Sequence, residues 1–248
     1  MTVARRKQTK GLCVHCGKEL SKGGMSKHLG TCKARKAAIS KAAQDKDRPE
    51  ELYHLRVQDA YGGAFWLNLE MRGCKTLNDL DNYLRAIWLE CCGHLSEFGL
   101  GRFTDTVAKT RKIEEVFDYT DSLTHIYDFG TSSETVVKLV DAREGVPLTG
   151  KPIVLMARNN QPVVDCMECG KPATYLCIEC MIEENEAGTL CDDHAEDHPH
   201  EDYGEPMPIV IKTRLGMCDY SDHAAQPKEV GITTNVGRLR TSTVPKTP

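Results

Sequence analysis

Aromatic residues are scarce in this chain: 5 Phe, 2 Trp and 8 Tyr amount to 6% of 248 residues. Residues 1 to 50 offer little aromatic material on which bases could stack, which argues against sequence-specific reading of nucleic acid there. No stretch of about 18 apolar residues occurs, so no membrane-spanning helix is expected, and the N-terminus has no apolar signal core. These absences predict a soluble, intracellular, cytoplasmic protein. The signatures GxGxxG, GxxxxGK[ST], GxSxG and HExxH are also missing, so the usual enzyme classes find no support and a non-enzyme is expected.

Cysteine, by contrast, is plentiful at 12 residues, and its spacing carries the chemistry. Cys166-x2-Cys169-x7-Cys177-x2-Cys180-x10-Cys191-x2-His194-x3-His198-x-His200 supplies ligands for two tetrahedral zinc ions. Two-residue spacers let both thiolates of a pair close on one ion through a tight turn. Alternation of the pairs favours a cross-brace, with Cys166, Cys169, Cys191 and His194 on one ion and Cys177, Cys180, His198 and His200 on the other. A second element, Cys13-x2-Cys16-x11-His28-x3-Cys32, has the spacing of a single Cys2HisCys finger. It predicts a knuckle followed by a short helix from about Ser21 or Ser26 that presents His28 and Cys32 one turn apart, with His15 pointing outward. Three zinc ions are therefore expected, and such thiols fit a reducing compartment. Cys74, Cys91, Cys92 and Cys218 are left over.

The formal net charge of −4 conceals a strongly dipolar chain. Residues 1 to 41 hold Arg5, Arg6, Lys7, Lys10, Lys18, Lys22, Lys27, Lys33, Arg35, Lys36 and Lys41 against Glu19 alone. Residues 165 to 205 hold thirteen Asp or Glu against Lys171. A basic finger suits a phosphate backbone and an acidic one is repelled by it, so the two modules should have different partners. Nucleic acid is expected at the N-terminal module, with nucleoid association if so, and a protein partner at the acidic finger and the central region.

The organisation reads as residues 1–48, a basic finger with an exposed helix or linker; 49–160, a central α+β domain; 161–206, an acidic two-zinc finger; and 207–248, a short element with a disordered tail from about Gln226. In the central part, Leu52–Val57 and Ala64–Leu69 flank Gly62-Gly63 as a hairpin. Thr76 with Asp79 caps a helix whose stripe is Leu77, Leu80, Leu84, Ile87, Trp88 and Cys91. Further strands are expected at Leu95–Phe103, Lys112–Phe117, Leu123–Asp128, Thr135–Asp141 and Ile153–Ala157. Cys91-Cys92-Gly93-His94 is the remaining chemical candidate, a thiol near an imidazole at the helix end. Cys91 fits the core and Gly93 a helix stop, so a thiol-dependent enzyme using Cys92 and His94 ranks behind a non-catalytic zinc-binding adaptor that joins nucleic acid to protein, and behind a pure protein-interaction scaffold without nucleic-acid binding.

Residues 165 to 203, with Tyr175 just before the third ligand, resemble a B-box or related cross-brace zinc finger. Tyr53-His54-Leu55-Arg56-Val57, Phe65-Trp66-Leu67, Thr76-Leu77-Asn78-Asp79-Leu80, His94-Leu95-Ser96-Glu97-Phe98 and Ile126-Tyr127-Asp128-Phe129-Gly130 resemble the plasmid pRiA4b third-open-reading-frame-like family, whose members include transposon-associated passenger proteins. That resemblance implies an α+β domain without established biochemistry and a possible link to a mobile element. Where that family continues with acidic residues, Trp and a nearby His, this chain has Thr131-Ser132-Ser133-Glu134-Thr135. Asp128 is accordingly read as a turn former before Gly130.

Overall fold

A computed structural model describes residues 9–44, 48–60, 64–89, 93–130, 132–160, 163–200 and 202–209. Arg5, Arg6, Lys7, the Gly62-Gly63 turn, Cys91, Cys92, Cys218 and the tail from Gln226 lie outside the described residues. The chain opens with β1 (Lys10–Cys13), β2 (Glu19–Ser21), α1 (Lys22–Thr31) and α2 (Lys33–Ala42). It continues through β3 (Glu50–Asp59), β4 (Trp66–Arg72), α3 (Leu77–Leu84), a π-helical turn at Arg85–Leu89, β5 (Ser96–Gly101), β6 (Thr104–Val107) and α4 (Ile113–Phe117). β7 (Ser122–Tyr127), β8 (Ser133–Gly145) and β9 (Ile153–Asn159) complete an α+β body. The small C-terminal module comprises β10 (Tyr175–Leu176), α5 (Ile178–Ile182), β11 (Thr189–Leu190), α6 (Asp192–Glu196) and β12 (Met207–Pro208).

One antiparallel sheet of nine strands, in the order β2-β1-β9-β4-β3-β8-β7-β5-β6, organises the body. The hairpin expected around residue 60 pairs Leu55 with Leu69 and Val57 with Leu67. Alternation along these strands sends Tyr53, Leu55, Val57, Leu67, Leu69 and Met71 to one face. There they meet Leu77, Leu80, Leu84 and Trp88 of the helix together with Ile113, Val116 and Phe117, forming the main core. Thr76 starts α3 as a capping box: its Oγ1 accepts from Asp79 N at 3.4 Å and its N donates to Asp79 Oδ2 at 2.8 Å.

One expectation needs correction. Lys112–Phe117 is a helix, α4, and not a strand, because Ile113, Val116 and Phe117 sit three and four apart and all are buried on one side. The stretch after the first finger is the exposed helix expected there, α2, but the finger itself is joined to the body. β1 pairs with β9 through Gly11↔Asn159, Leu12↔Arg158 and Cys13↔Ala157, extending the central sheet. Helix α1 lies on the sheet's second face, where Met25, Leu29, Cys13 and Cys32 pack against Trp66, Met156 and Ala157. In the C-terminal module, β12 joins β10, so Met207 and Pro208 belong with the finger's three-stranded sheet.

Candidate metal centres

Two knuckles of the same design begin two of the centres. Gly17 N donates to Cys13 O at 2.8 Å and Gly170 N to Cys166 O at 2.9 Å. Both glycines are left-handed, with φ of 72° and 71°. A Cβ is costly there, which is why the local sequence is Cys-x-x-Cys-Gly in each case. In the first centre Cys13 ends β1, Cys16 occupies the turn, His28 stands in the last turn of α1, and Cys32 is the extended residue that separates α1 from α2. The helix has Ser21 at its N-cap position.

The structure brings the twelve spaced residues into three groups of four: Cys13, Cys16, His28 and Cys32; Cys166, Cys169, Cys191 and His194; Cys177, Cys180, His198 and His200. Within each group the ligand atoms all lie within 4.8 Å of one another. The last two groups interleave along the chain as a cross-brace. A tetrahedron with bonds of about 2.3 Å to sulfur and about 2.0–2.1 Å to nitrogen has edges of about 3.8 Å between sulfurs and about 3.6 Å between sulfur and nitrogen. Cys169 Sγ and Cys191 Sγ are 3.7 Å apart, far beyond a disulfide bond of about 2.05 Å. Cys166 Sγ to His194 Nδ1 is 3.5 Å, Cys16 Sγ to His28 Nε2 is 3.3 Å, and Cys180 Sγ to His198 Nε2 is 3.3 Å. These groups have the dimensions and donor set to hold metal ions.

Electrostatics point the same way. Burial pushes the Cys13 thiol up to about 11, and burial with the neighbouring Cys177 thiol pushes Cys180 up to about 12. At Cys166 burial is outweighed by backbone N–H donors from Cys191, Cys169 and Glu168 and by the His194 ring, and its pKa falls to about 6. Crowded thiols resist ionisation together; a divalent cation at their centre removes that penalty.

The basic residues of the first module separate into two kinds. Lys10, Lys18, Lys27, Lys33, Lys36 and Lys41 are exposed, and Lys22 is half-buried. Arg35, counted with them on charge alone, is not a surface contact: it is 7% exposed and its Nη2 donates to Glu70 Oε2 at 2.7 Å. Glu70 also holds Arg143, at 2.9 Å. Burial raises the Glu70 pKa, but the two guanidinium groups outweigh it and lower the carboxyl below its ordinary value. His15 does not point outward. It is half-buried, its Nε2 is enclosed without a hydrogen-bond partner, and burial with the nearby Arg35 lowers its pKa.

Sequence spacing gave no hint of a second polar cluster in the body. Asp81 of α3 accepts from His125 Nε2 at 2.8 Å, Ser96 Oγ at 2.7 Å, Arg85 Nε at 2.9 Å and Lys109 Nζ at 2.9 Å. Burial acts against ionisation, yet these four donors hold the Asp81 carboxyl well below the usual range. Burial lowers the His125 pKa against the pull of Asp81, so the ring is a neutral Nε2–H donor whose Nδ1 faces Thr135 Oγ1 at 3.4 Å. Residues of α3, the π-helical turn, β5, β7, β8 and the segment between β6 and α4 contribute to this cluster, so no local motif encodes it. His94 of the Cys-Cys-Gly-His stretch has its Nδ1 3.1 Å from Asp128 Oδ2, while Asp128, at φ 61°, accepts Gly130 N as a turn former.

The chain matches no protein-family model and no curated protein. Among solved structures it is similar to the crystal structure of a protein of unknown function, MM3350, from Methanosarcina mazei Go1. The two are 19% identical over 44% of this chain and 69% of that one, with a TM-score of 0.36.

Proposed function

We propose that this protein is a non-catalytic zinc-binding adaptor whose basic N-terminal module contacts nucleic acid and whose central and acidic C-terminal modules contact protein. The observation that carries the reading is the three carboxylate-free Cys/His groups, one within an exposed lysine cluster and two within an acidic stretch. Tetrahedral sets of thiolate and imidazole select zinc over the hard cations, which take oxygen ligands. With zinc bound, a three-thiolate, one-imidazole centre carries a formal −1 and a two-thiolate, two-imidazole centre is neutral, so neither end loses its character. The lysines around the first centre supply the sequence-independent contacts of a backbone binder. The acidic module repels phosphate and suits a basic protein surface.

Native mass spectrometry of the reduced chain should give three zinc ions per molecule. Anisotropy of labelled DNA or RNA should show binding that weakens steeply with salt and is lost on Cys13→Ser or Cys16→Ser. A chain without zinc would overturn the reading. A zinc-loaded chain that ignores nucleic acid at low salt would reduce it to a protein scaffold.

A further inference from the structure

The second face of the sheet carries an unusual row of side chains. Register places Asn68 opposite Arg56, Arg56 opposite Lys138, and Lys138 opposite Ser122, so four strands contribute one polar row. It lies on the face that α1 covers in part, because Ser26 Oγ of α1 donates to Asn68 Oδ1 at 3.0 Å. Like charges directly opposite on neighbouring strands are unfavourable, and Arg56 with Lys138 is such a pair. A third cation, Lys22, is the first residue of α1, the helix whose Ser26 reaches this row; burial and then the charge of Arg56 lower its pKa, Asp59 raises it and Lys138 lowers it.

Asp59 lies near enough to Lys22 to raise its pKa and so offsets part of this charge, while the other nearby carboxylates have partners of their own. Glu70 holds Arg35 and Arg143, Asp59 Oδ2 accepts Phe65 N at 3.0 Å, and Asp141 Oδ1 accepts Ala142 N. Arg56 Nε is buried without a hydrogen-bond partner. Asn68 is fully buried under α1, but a fold that juxtaposes three cations with the Ser122 hydroxyl at the other end of the row has the chemistry of a site for a phosphate group.

We infer that Lys22, Arg56 and Lys138 form a phosphate-binding patch on the open sheet face beside the first metal module. This deepens the nucleic-acid reading and rests on it for the source of the phosphate, a backbone that continues from the finger's lysines onto the sheet. The first arm of the test uses the full metal-loaded chain with a labelled single-stranded DNA, its duplex and the matching RNA. Lys138→Gln and Arg56→Gln should each weaken binding by about three- to tenfold and reduce the slope of log affinity against log salt by about 1. Lys151→Gln, on an exposed position outside the row, should change neither. Lys138→Gln should leave the melting temperature unchanged or raise it, since it relieves a like-charge pair; a structural role would lower it. Should Arg56→Gln fold poorly, Lys138→Gln carries the test alone.

The second arm adds inorganic phosphate and pyrophosphate to a thermal-shift measurement. Nucleic-acid binding that is indifferent to both variants overturns the patch while the N-terminal reading stands. If wild type ignores nucleic acid, but pyrophosphate raises its melting temperature and not that of Lys138→Gln, the patch stands for a small phosphate ligand and the nucleic-acid reading fails. Silence in both arms overturns both.

Discussion

At the scale of single residues, the strongest constraints are buried charges whose partners lie far away in sequence. Glu70 is 4% exposed between Arg35 and Arg143, and removing one member of such a group leaves uncompensated charge in a dry place. Glu70→Gln should therefore cost about 3–5 kcal/mol in urea unfolding, most of it the penalty on the two stranded guanidinium groups. Its sign with pH follows from the direction of the shift. A carboxyl lowered in the fold contributes stability above its unfolded pKa of about 4.3, and that contribution disappears as pH falls through the folded value, so wild type and variant should converge in acid. His125 behaves differently. It is buried as the neutral ring, so below its unfolded pKa of about 6.5 the unfolded chain gains a proton that the fold refuses. Stability should fall between pH 7 and 5 by at most about 1.4 kcal/mol per pH unit from this residue. His125→Gln should flatten the slope of unfolding free energy against pH; an unchanged slope would show that the ring takes up its proton equally in the folded and unfolded chain, and a steeper one that it is charged in the fold.

At the scale of elements, legibility depended on whether the signal was local. The metal ligands, the capping box at Thr76 and the apolar stripe of α3 are set by spacings of two to four residues, and a sequence displays such spacings directly. α4 was missed because Ile113, Val116 and Phe117 are residues that favour strands, and their spacing was outweighed by that preference. The docking of the first finger was missed for a different reason: nothing in Lys10–Cys13 states that its partner is Ile153–Asn159, nearly the whole body later in the chain. That docking has a measurable consequence. Trp66 is wholly buried, shares a cluster with the ligands Cys13 and Cys32, and donates from Nε1 to Thr9 Oγ1 at 3.1 Å. Loss of the first metal should loosen this cluster and wet the indole. In a Trp88→Phe background, which isolates Trp66, Cys16→Ser or chelation should shift the emission to the red. An unmoved spectrum would mean that the cluster holds without metal.

At the scale of the whole molecule, the charge asymmetry and the two metal-rich ends were readable from composition and spacing. The unequal dependence of those ends on metal was not, because it follows from what each rests on. The first centre sits on a sheet of nine strands and shares the apolar cluster of Trp66 and Met156, so its surroundings retain hydrogen bonds and buried surface without an ion. Among the described residues of the C-terminal module, the apolar cluster is Cys177, Cys180 and Leu190, with Met167, Tyr175 and Ala195 packed against it; Leu176, Cys166 and Cys191 are also buried, and every one of these thiols is a ligand. So little apolar burial cannot offset roughly 1–2 kcal/mol of backbone entropy per ordered residue, and metal binding there amounts to folding. Hydrogen exchange in the presence of a strong chelator should rank the regions accordingly. Amides of residues 163–209 should exchange as an unfolded chain, those of β1 and β2 should lose part of their protection, and those of β3, β4 and β8 should keep it. The expected order would be refuted by protected amides around Cys177 and Cys180 in metal-free protein. It would also be refuted by a central sheet that melts together with the C-terminal module, since that would require coupling through contacts other than the bonds within residues 163–209.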